Sequence, residues 1–196
     1  RAETGKRNCV SMLLSVTAAG VTGACWLARQ AGNDRVLTLD IGGTSADMAL
    51  IIDGQPQFGK DEKIGDYPLH IPSVSVSSIG IGGGSIARVD AFGVLKVGPE
   101  SAGSAPGPAC YGRGGMHATL TDALAVCGYL GHAPMAYGQL TLEIERANSV
   151  VEKIALALGR DVPATAEAII RVAVSEMFVE VEKLASRPGI DLRDYT

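Results

Sequence analysis

Several motifs that mark common functional classes are missing from this chain of 196 residues. There is no G-x-x-x-x-G-K-[ST] phosphate loop, because the Gly-Lys pairs at residues 5–6 and 59–60 are followed by Arg and Asp. No C-x-x-C, H-x-H or H-E-x-x-H spacing occurs, so the spacing does not indicate a zinc site. The net charge of −4 and the lack of a basic stripe exclude nucleic acid as an expected partner.

Long apolar runs and aromatic residues are also scarce. The uncharged stretches 8–28 and 67–87 are interrupted by Ser, Thr and Gly, so no membrane span or membrane partner is predicted. Aromatic residues make up 5% of a chain that is 46% hydrophobic, which indicates a mainly aliphatic core. Widely separated cysteines with apolar neighbours predict reduced, mostly buried thiols and a cytoplasmic protein (Cys9, Cys25, Cys110, Cys127).

Periodicity predicts an α/β chain with a β-meander and flanking helices. Helices are expected at 18–31, from 121 through 128, at 143–158 and at 164–185. Strands are expected at 35–41 and 47–52, with a hairpin turn at Asp53-Gly54, then at 73–79, 86–91 and 94–97. Residues 60–72 are predicted to be a loop. Residues 60–118 form a Gly/Pro-rich insertion with short strands, in which 98–118 is either ligand-facing irregular backbone or a flexible lid.

The turn at residues 40–47, DIGGTSAD, carries the strongest functional signal. Asp40 ends an apolar strand that is expected to be buried, and Gly42, Gly43 and Thr44 follow it. Glycine lets backbone N–H groups approach a ligand closely, and a nest of such groups binds phosphate oxygens. Asp40 would then lie beside the phosphates, where Mg²⁺ or its bound water belongs. The alternative is a tight turn without a ligand, since Asp and Gly are common turn residues.

A second glycine-rich turn occupies residues 80–85. It differs from the dinucleotide motif G-x-G-x-x-G at its last position and leads into a β-like stretch, so a Rossmann fold is disfavoured. Gly82, Gly83, Gly84 and Ser85 are predicted to approach the same ligand as the first turn. The alternative is close strand packing that leaves no room for side chains.

Three further residues carry weaker signals. Cys110, in a Gly/Pro-rich turn, is predicted to be structural, with a reactive thiol as the alternative. Asp122 follows Thr121 at a helix start, and capping is favoured over metal binding. His117 is expected to be a solvated loop residue.

Five motifs in order give the chain a family resemblance. They are DIGGTSAD and the segments at 79–87, 97–103, 106–115 and 119–123. Together they resemble the hydantoinase A/oxoprolinase family, which includes ATP-dependent hydantoinases, 5-oxoprolinases and the nucleotide-binding subunits of acetone- and acetophenone-type carboxylases. The resemblance covers nearly the whole chain.

The resemblance implies an actin-like (ribonuclease-H-like) ATPase domain, with a mixed sheet that contains the β-meander, in which residues 40–47 form the second phosphate loop. Asp40 would hold Mg²⁺ (or Mn²⁺) or its water, and Gly42, Gly43 and Thr44 would contact the β- and γ-phosphates of ATP. The family is thought to use ATP to activate an amide or ketone carbonyl. A cyclic amide or ketone substrate and a partner subunit in a hetero-oligomer are therefore implied.

The chain also departs from the family pattern. Residues 15–20 read SVTAAG where relatives are closer to SGPAGG, and the first Asp-x-Gly-Gly-Thr loop of relatives is missing. We therefore predict a fragment of a larger protein, with half a nucleotide site and weak or no ATPase activity alone. A ketone carboxylase subunit, a non-catalytic actin-like nucleotide-binding module, and a sugar or acyl kinase of the same fold remain the alternatives. The segment 106–115 argues against the kinase.

Overall fold

A computed structural model describes residues 15–59, 63–64, 67–68, 73–186 and 189–196, and the side chains of 17–58, 74–186 and 189–196. The chain divides into two compact units. Among the described residues, the first unit takes in 15–40, 47–59, 63–64, 67–68, 73–78, 180–186 and 189–196, and the second takes in 41–46 and 79–179. The segment 60–118 contributes to both units, and its description as an insertion in a single domain stays a prediction.

The first unit is built on a sheet that contains the predicted meander. Helix α1 (Ser15–Gln30) precedes strands β1 (Val36–Ile41), β2 (Ala46–Ile52) and β3 (Gln55–Pro56), which lie in the order β1-β2-β3. Strand β8 (Ser77–Ile79) also pairs with β2. The backbone of Thr196 donates to the carbonyl of Arg35 and accepts from the N–H of Leu37, which is the hydrogen-bond pattern of a parallel contact.

The helix predicted at 18–31 is confirmed as α1, which begins three residues earlier, and its apolar stripe packs against this sheet. Val21 and Cys25, one helical turn apart, pack in a cluster with Ala49, Ile51 and Val74. Helix positions i and i+4 lie on one face, so the small and β-branched residues of this stripe meet the buried strand β2.

The prediction of an unbroken loop at 60–72 is wrong in the part that the structure describes. Strand β5 (Lys63–Ile64) pairs with β6 (Tyr67–Pro68), and the rest of 60–72 lies outside the described residues. The single strand expected at 73–79 is two strands, because β7 (Ser73–Val74) pairs with β4 (Phe58–Gly59) whereas β8 pairs with β2.

The second unit combines a hairpin with helices. Strands β9 (Ser85–Val89) and β10 (Leu95–Ser101) form the predicted antiparallel hairpin, although β10 runs four residues further than expected, past an irregularity between Val97 and Ser101. A 3₁₀ turn (Ala109–Tyr111) and helices α2 (Leu120–Val126), α3 (Ile144–Leu158) and α4 (Val162–Ser186) follow. A buried cluster links the turn to α2 and α3 (Cys110, Ala125, Leu142, Ala147).

The structure tests the predictions about buried thiols and about membrane spans only in the part of the chain that it describes. Cys25, Cys110 and Cys127 are free thiols and the first two are buried, whereas Cys9 and His70 lie outside the described residues. Among the described helices, none has the length and apolar content needed to cross a membrane.

Candidate functional site

The second glycine turn holds the first one in place within the second unit. The N–H of Gly83 donates to the carbonyl of Gly42 at 2.9 Å, and the N–H of Gly84 donates to the carbonyl of Gly43 at 2.6 Å. The first turn is closed on itself by a further bond, from the N–H of Gly42 to the carbonyl of Ser45 at 2.8 Å. Two short loops of irregular backbone therefore form one hydrogen-bonded pair.

This pairing fixes the direction of two hydrogen-bond donors. In a trans peptide the C=O and the N–H point in opposite directions. Because the carbonyls of Gly42 and Gly43 face the second turn, the N–H groups of the same peptide units, on Gly43 and Thr44, face away from it. Neither N–H donates a hydrogen bond within the described part of the chain, and both residues are exposed. Adjacent unengaged N–H groups of this kind are the donors that bind anions.

Glycine is required where the two turns touch. A β-carbon on Gly82 would lie 2.6 Å from the carbonyl oxygen of Gly42 and 2.8 Å from the nitrogen of Thr44. A β-carbon on Gly84 would lie 2.8 Å from the carbonyl oxygen of Gly43. For Gly82 and Gly84, the structure therefore shows the close packing without room for side chains that the sequence analysis gave as the alternative.

The N–H groups of the second turn are already engaged in this structure. The N–H of Gly82 donates to the fully buried hydroxyl of Ser85 at 2.9 Å, and the N–H of Ser85 donates to the carbonyl of Gly82. Gly83 and Gly84 donate to the first turn, as described above. A direct contact between ligand and Gly82, Gly83, Gly84 or Ser85 stays a prediction, and their observed contacts support the first turn.

Helix α2 anchors the second turn from behind. The backbone N–H and the hydroxyl of Thr121 both donate to the carbonyl of Gly83, each at 2.8 Å. Thr121 is almost fully buried. The start of α2 therefore sets the position of Gly83, and through it the position of Gly42.

A buried carboxylate fixes the start of α2. Asp122 is fully buried and forms a capping box with Thr119, the N-cap residue. It accepts from the hydroxyl of Thr119 at 2.7 Å and from the backbone N–H groups of Ala109 at 3.2 Å and Cys110 at 2.8 Å. The predicted capping role is confirmed. The tie to residues 109–110 was missed, because nothing in local spacing relates an aspartate to a turn 12 residues earlier.

Cys110 and His117 have the structural roles expected of them. The side chain of Cys110 is fully buried, and this burial, together with the neighbouring Asp122, raises the pKa of its thiol far above the ordinary value. A thiol that stays protonated is a poor nucleophile, so the reactive alternative is not supported. His117 is exposed in its loop.

A cleft of about 570 Å³ opens beside the first turn. Its lining includes Gly42, Gly43 and Thr44 of the first turn and Gly83 and Gly84 of the second. The other lining residues are mostly apolar (Ile41, Pro108, Tyr111, Leu124, Leu130, Met135), with Gly103, Ser104 and Thr121 among them. Its volume lies in the range of ordinary small-molecule sites.

Asp40 lies in the first unit and differs from expectation in its surroundings. The end of β1 is exposed, with Leu39 and Ile41 each 50% accessible, so Asp40 does not end a buried strand. It lines a cavity of about 250 Å³ that also touches Asp47 and Thr17, whose hydroxyl donates to Asp47 at 3.2 Å. Within the described ranges, no three His, Cys, Asp or Glu side chains gather in a metal-binding group.

Comparison with known proteins identifies relatives that match most of the chain. The sequence model of the Hydantoinase/oxoprolinase family matches residues 1–196. Caprolactamase subunit alpha of Pseudomonas jessenii is 40% identical over 174 residues, which cover 88% of this chain and 25% of that protein. The acetophenone carboxylase gamma subunit of Aromatoleum aromaticum is 39% identical over 161 residues, which cover 81% of this chain and 22% of that protein.

Two solved structures share the fold. The crystal structure of ATP-dependent caprolactamase from Pseudomonas jessenii superposes with a TM-score of 0.80 at 39% identity, over 88% of this chain and 25% of that chain. Nucleotide-free acetone carboxylase gives a TM-score of 0.71 at 32% identity, over 86% of this chain and 24% of that chain. The chain thus spans about a quarter of the length of these relatives. Its α/β fold, with antiparallel sheets and helices, and its full-length family match show that the chain belongs to the hydantoinase/oxoprolinase family.

Proposed function

We propose that this chain is the part of an ATP-dependent cyclic-amide hydrolase, of the hydantoinase/oxoprolinase type, that binds the β- and γ-phosphates of ATP. The observation that carries the proposal is the pair of unengaged N–H groups on Gly43 and Thr44, which line a cleft and are oriented by the second glycine turn. Similarity to an ATP-dependent caprolactamase supports it. An actin-like ATPase fold, with residues 40–47 as its second phosphate loop, completes the proposal.

The protein groups present would hold a magnesium ion (or Mn²⁺) only together with the phosphates of a bound nucleotide. Mg²⁺ is usually held by one or two carboxylates together with substrate phosphates and waters. Asp40 supplies an exposed carboxylate two residues before Gly42 in the chain, so the two α-carbons are at most about 7 Å apart. We propose that Asp40 holds Mg²⁺ or its water, and the ion would neutralise phosphate charge when bound.

The chain's own contribution is positioning and electrostatics. The N–H groups of Gly43 and Thr44 would hold phosphate oxygens, while the apolar side chains that line the cleft would contact the body of a small carbonyl substrate and exclude water from it. Phosphoryl transfer depends mainly on such positioning, because the protein has little covalent chemistry to perform. Activation of an amide carbonyl by ATP is the reaction we assign to the complete enzyme.

An ATP-dependent ketone carboxylase subunit is the second candidate. It is favoured by the similarity to the acetophenone carboxylase gamma subunit and to acetone carboxylase. Both candidates are compatible with a role in a hetero-oligomer, since several relatives are subunits of larger enzymes. Three free thiols support a cytoplasmic location.

The test is substrate-stimulated ATP hydrolysis by the enzyme that contains this chain. Hydantoin, 5-oxoproline, a lactam and a ketone are compared in the wild type, in Asp40→Asn and in Asp34→Asn, a control at another exposed aspartate of the first unit. We expect Asp40→Asn to lower turnover about 10- to 100-fold, the usual effect of perturbing a metal site, and Asp34→Asn to have no effect. Undiminished turnover in Asp40→Asn would remove the role proposed for that residue.

A binding measurement tests the expectation of a partial site. Calorimetric titration of the isolated 196 residues with Mg-ATP should show weak binding or none. Micromolar affinity would contradict the expectation that this piece holds half of a nucleotide site.

A further inference from the structure

We infer that a second cavity of the second unit binds a small zwitterion, a molecule that carries one carboxylate and one ammonium group. The cavity has a volume of about 350 Å³ and is lined by residues of the β9–β10 hairpin, of the segment before it and of helix α4. Among the described residues, it shares none of its lining with the cleft beside the first glycine turn. The inference therefore concerns a different site and does not rest on the proposed function.

Charged side chains of both signs line this cavity without pairing with one another. Two are cations, Arg88 and Lys96, and two are carboxylates, Asp90 and Glu176. Within the described ranges, none of the four forms an ion pair with another, and Arg88 only approaches Glu100, outside the cavity, at 3.9 Å. Opposite charges that stay apart around one cavity remain available to a ligand, and their sum of zero favours a ligand without net charge.

The register of the hairpin explains how the two cations come together. Arg88 on β9 lies directly opposite Lys96 on β10, so both side chains project from the same face of the antiparallel pair. Like charges in this position destabilise the pairing of the strands, and a bound carboxylate would relieve the repulsion. One guanidinium N–H of Arg88 donates to the carbonyl of Gly98 at 3.0 Å, which fixes the side chain and leaves other N–H groups for a carboxylate.

The carboxylate of Asp90 offsets only part of this positive charge. Its Oδ1 accepts from the N–H of Phe92 at 2.9 Å and from that of Val94 at 3.0 Å, which fixes the side chain in the turn between the strands. The bond from Val94 is the main cause that lowers the pKa of Asp90, and nearby Lys96 adds to it. One carboxylate beside two cations leaves a net positive charge among the hairpin residues that line the cavity.

Helix α4 contributes the negative charge that balances it. Glu176 is exposed, and in the described part of the chain its carboxylate has neither a hydrogen-bond partner nor an ion-pair partner. The ammonium group of a ligand would meet this carboxylate, while the carboxylate of the same ligand would meet Arg88 and Lys96. Hydrogen bonds between ionised groups are the strong ones in proteins, so a zwitterion would gain more here than a molecule with one charge.

The rest of the lining suits a hydrocarbon body. Four of the lining residues are apolar (Ile79, Ile81, Val97, Pro99). A β-carbon on Gly98 would lie 3.1 Å from the carbonyl oxygen of Gly80, so the backbone is closely packed here and the lining keeps its shape. Aliphatic amino acids combine the two charged groups with such a body, and the volume of the cavity lies in the range of small-molecule sites.

Calorimetric titration of the enzyme that contains this chain tests the inference with four compounds. The zwitterions 6-aminohexanoate and leucine are compared with hexanoate and hexylamine, which each keep one of the two charged groups. We expect at least one zwitterion to bind at least about tenfold more tightly than both singly charged compounds, because each of these loses a set of charge-assisted hydrogen bonds. No binding of either zwitterion, or equally tight binding of hexanoate or hexylamine, would overturn the inference.

Two substitutions show whether the zwitterion binds in this cavity. Lys96→Met should weaken its binding about tenfold without changing that of hexylamine, and Glu176→Gln should weaken it about tenfold without changing that of hexanoate. Lys153→Met and Glu152→Gln are the matched controls, because both side chains are exposed on α3 outside this cavity, and they should have no effect. All four side chains are exposed, so the variants should fold, which thermal unfolding verifies. Unchanged zwitterion affinity in either Lys96→Met or Glu176→Gln would overturn the inference.

Discussion

Thr121 donates two hydrogen bonds, from its backbone N–H and from its hydroxyl, to the same carbonyl oxygen of Gly83. A carbonyl oxygen has two lone pairs, so this residue saturates the acceptor. The opposite end of Gly83, its N–H, donates to Gly42. The side chain of a helix residue is therefore two hydrogen bonds away from the turn proposed to bind phosphate.

Removal of the Thr121 hydroxyl should weaken nucleotide binding as well as the fold. We expect Thr121→Val to lower Mg-ATP affinity about tenfold in the complete enzyme, because one neutral hydrogen bond is worth about 0.5–1.5 kcal/mol. Thr121→Ser keeps the hydroxyl and should stay within about threefold of the wild type. Affinity is measured by calorimetry, and folding by thermal unfolding.

Thr165→Val is the control for that experiment. Thr165 is also fully buried in the second unit and donates its hydroxyl to a backbone carbonyl, that of Asp161, at 2.8 Å. The Thr165→Val variant should lose about as much stability as Thr121→Val, with no change in nucleotide affinity. Equal affinities for Thr121→Val and Thr121→Ser would show that the Thr121 hydroxyl does not position the turn.

Asp122 should be among the most sensitive residues for stability. Asp122→Ala leaves the buried N–H groups of Ala109, Cys110 and Thr119 without an acceptor, and we expect a loss of about 3–5 kcal/mol in the free energy of unfolding. Asp161→Ala removes an exposed cap, which accepts from Ala164, and should cost only about 1 kcal/mol. Urea denaturation of both variants measures the difference, and equal losses would contradict the structural role of Asp122.

Two glycines of the second turn should respond differently to alanine. In Gly82→Ala the new β-carbon would overlap Gly42 and Thr44, so we expect a loss of about 1–3 kcal/mol in stability and loss of phosphate binding. In Gly80→Ala the nearest atom, on Pro99, would lie at an ordinary 3.7 Å, and the change should be close to neutral. Denaturant unfolding and titration with inorganic phosphate compare the two, and a tolerated Gly82→Ala would show that the turns are less closely packed.

Cys110 should make the fold less stable in alkali. Its burial raises the thiol pKa far above the ordinary 9.0, so above pH 9 the unfolded chain loses a proton that the folded chain retains. The free energy of unfolding should therefore fall with rising pH, by up to about 1.4 kcal/mol per pH unit from this group. Unfolding is measured between pH 7 and 10 in wild type and Cys110→Ala, and parallel pH profiles would argue against the effect.

Local sequence patterns predicted much of the secondary structure, and they also predicted a phosphate-binding loop at 40–47, which stays a prediction. The stripe of α1, the hairpin at β9–β10 and the cap of α2 depend on residues within a few positions of each other, so spacing alone reveals them. The turn at 40–47 stood out because a Gly-Gly-Thr sequence with an aspartate on each side joins two apolar strands.

The supporting contacts could not be predicted in the same way. The bonds from the N–H of Gly83 to the carbonyl of Gly42 and from the N–H of Cys110 to the carboxylate of Asp122 join residues far apart in the sequence. Every residue other than proline has a backbone N–H, so the residue type does not reveal which of them donates such a bond. The exposure of Asp40 was also missed, since an apolar strand such as β1 looks identical in sequence whether or not another element covers it.

The carboxylate of Asp122 also joins part of the Gly/Pro-rich segment to the interior of the second unit. The amide hydrogens of Ala109 and Cys110 are bonded to it in the interior, so their exchange with deuterium requires the second unit to open. Composition suggests a lid for this stretch, but its middle should exchange as slowly as a core helix. Opening and closing of the cleft would then have to come from other segments that border it.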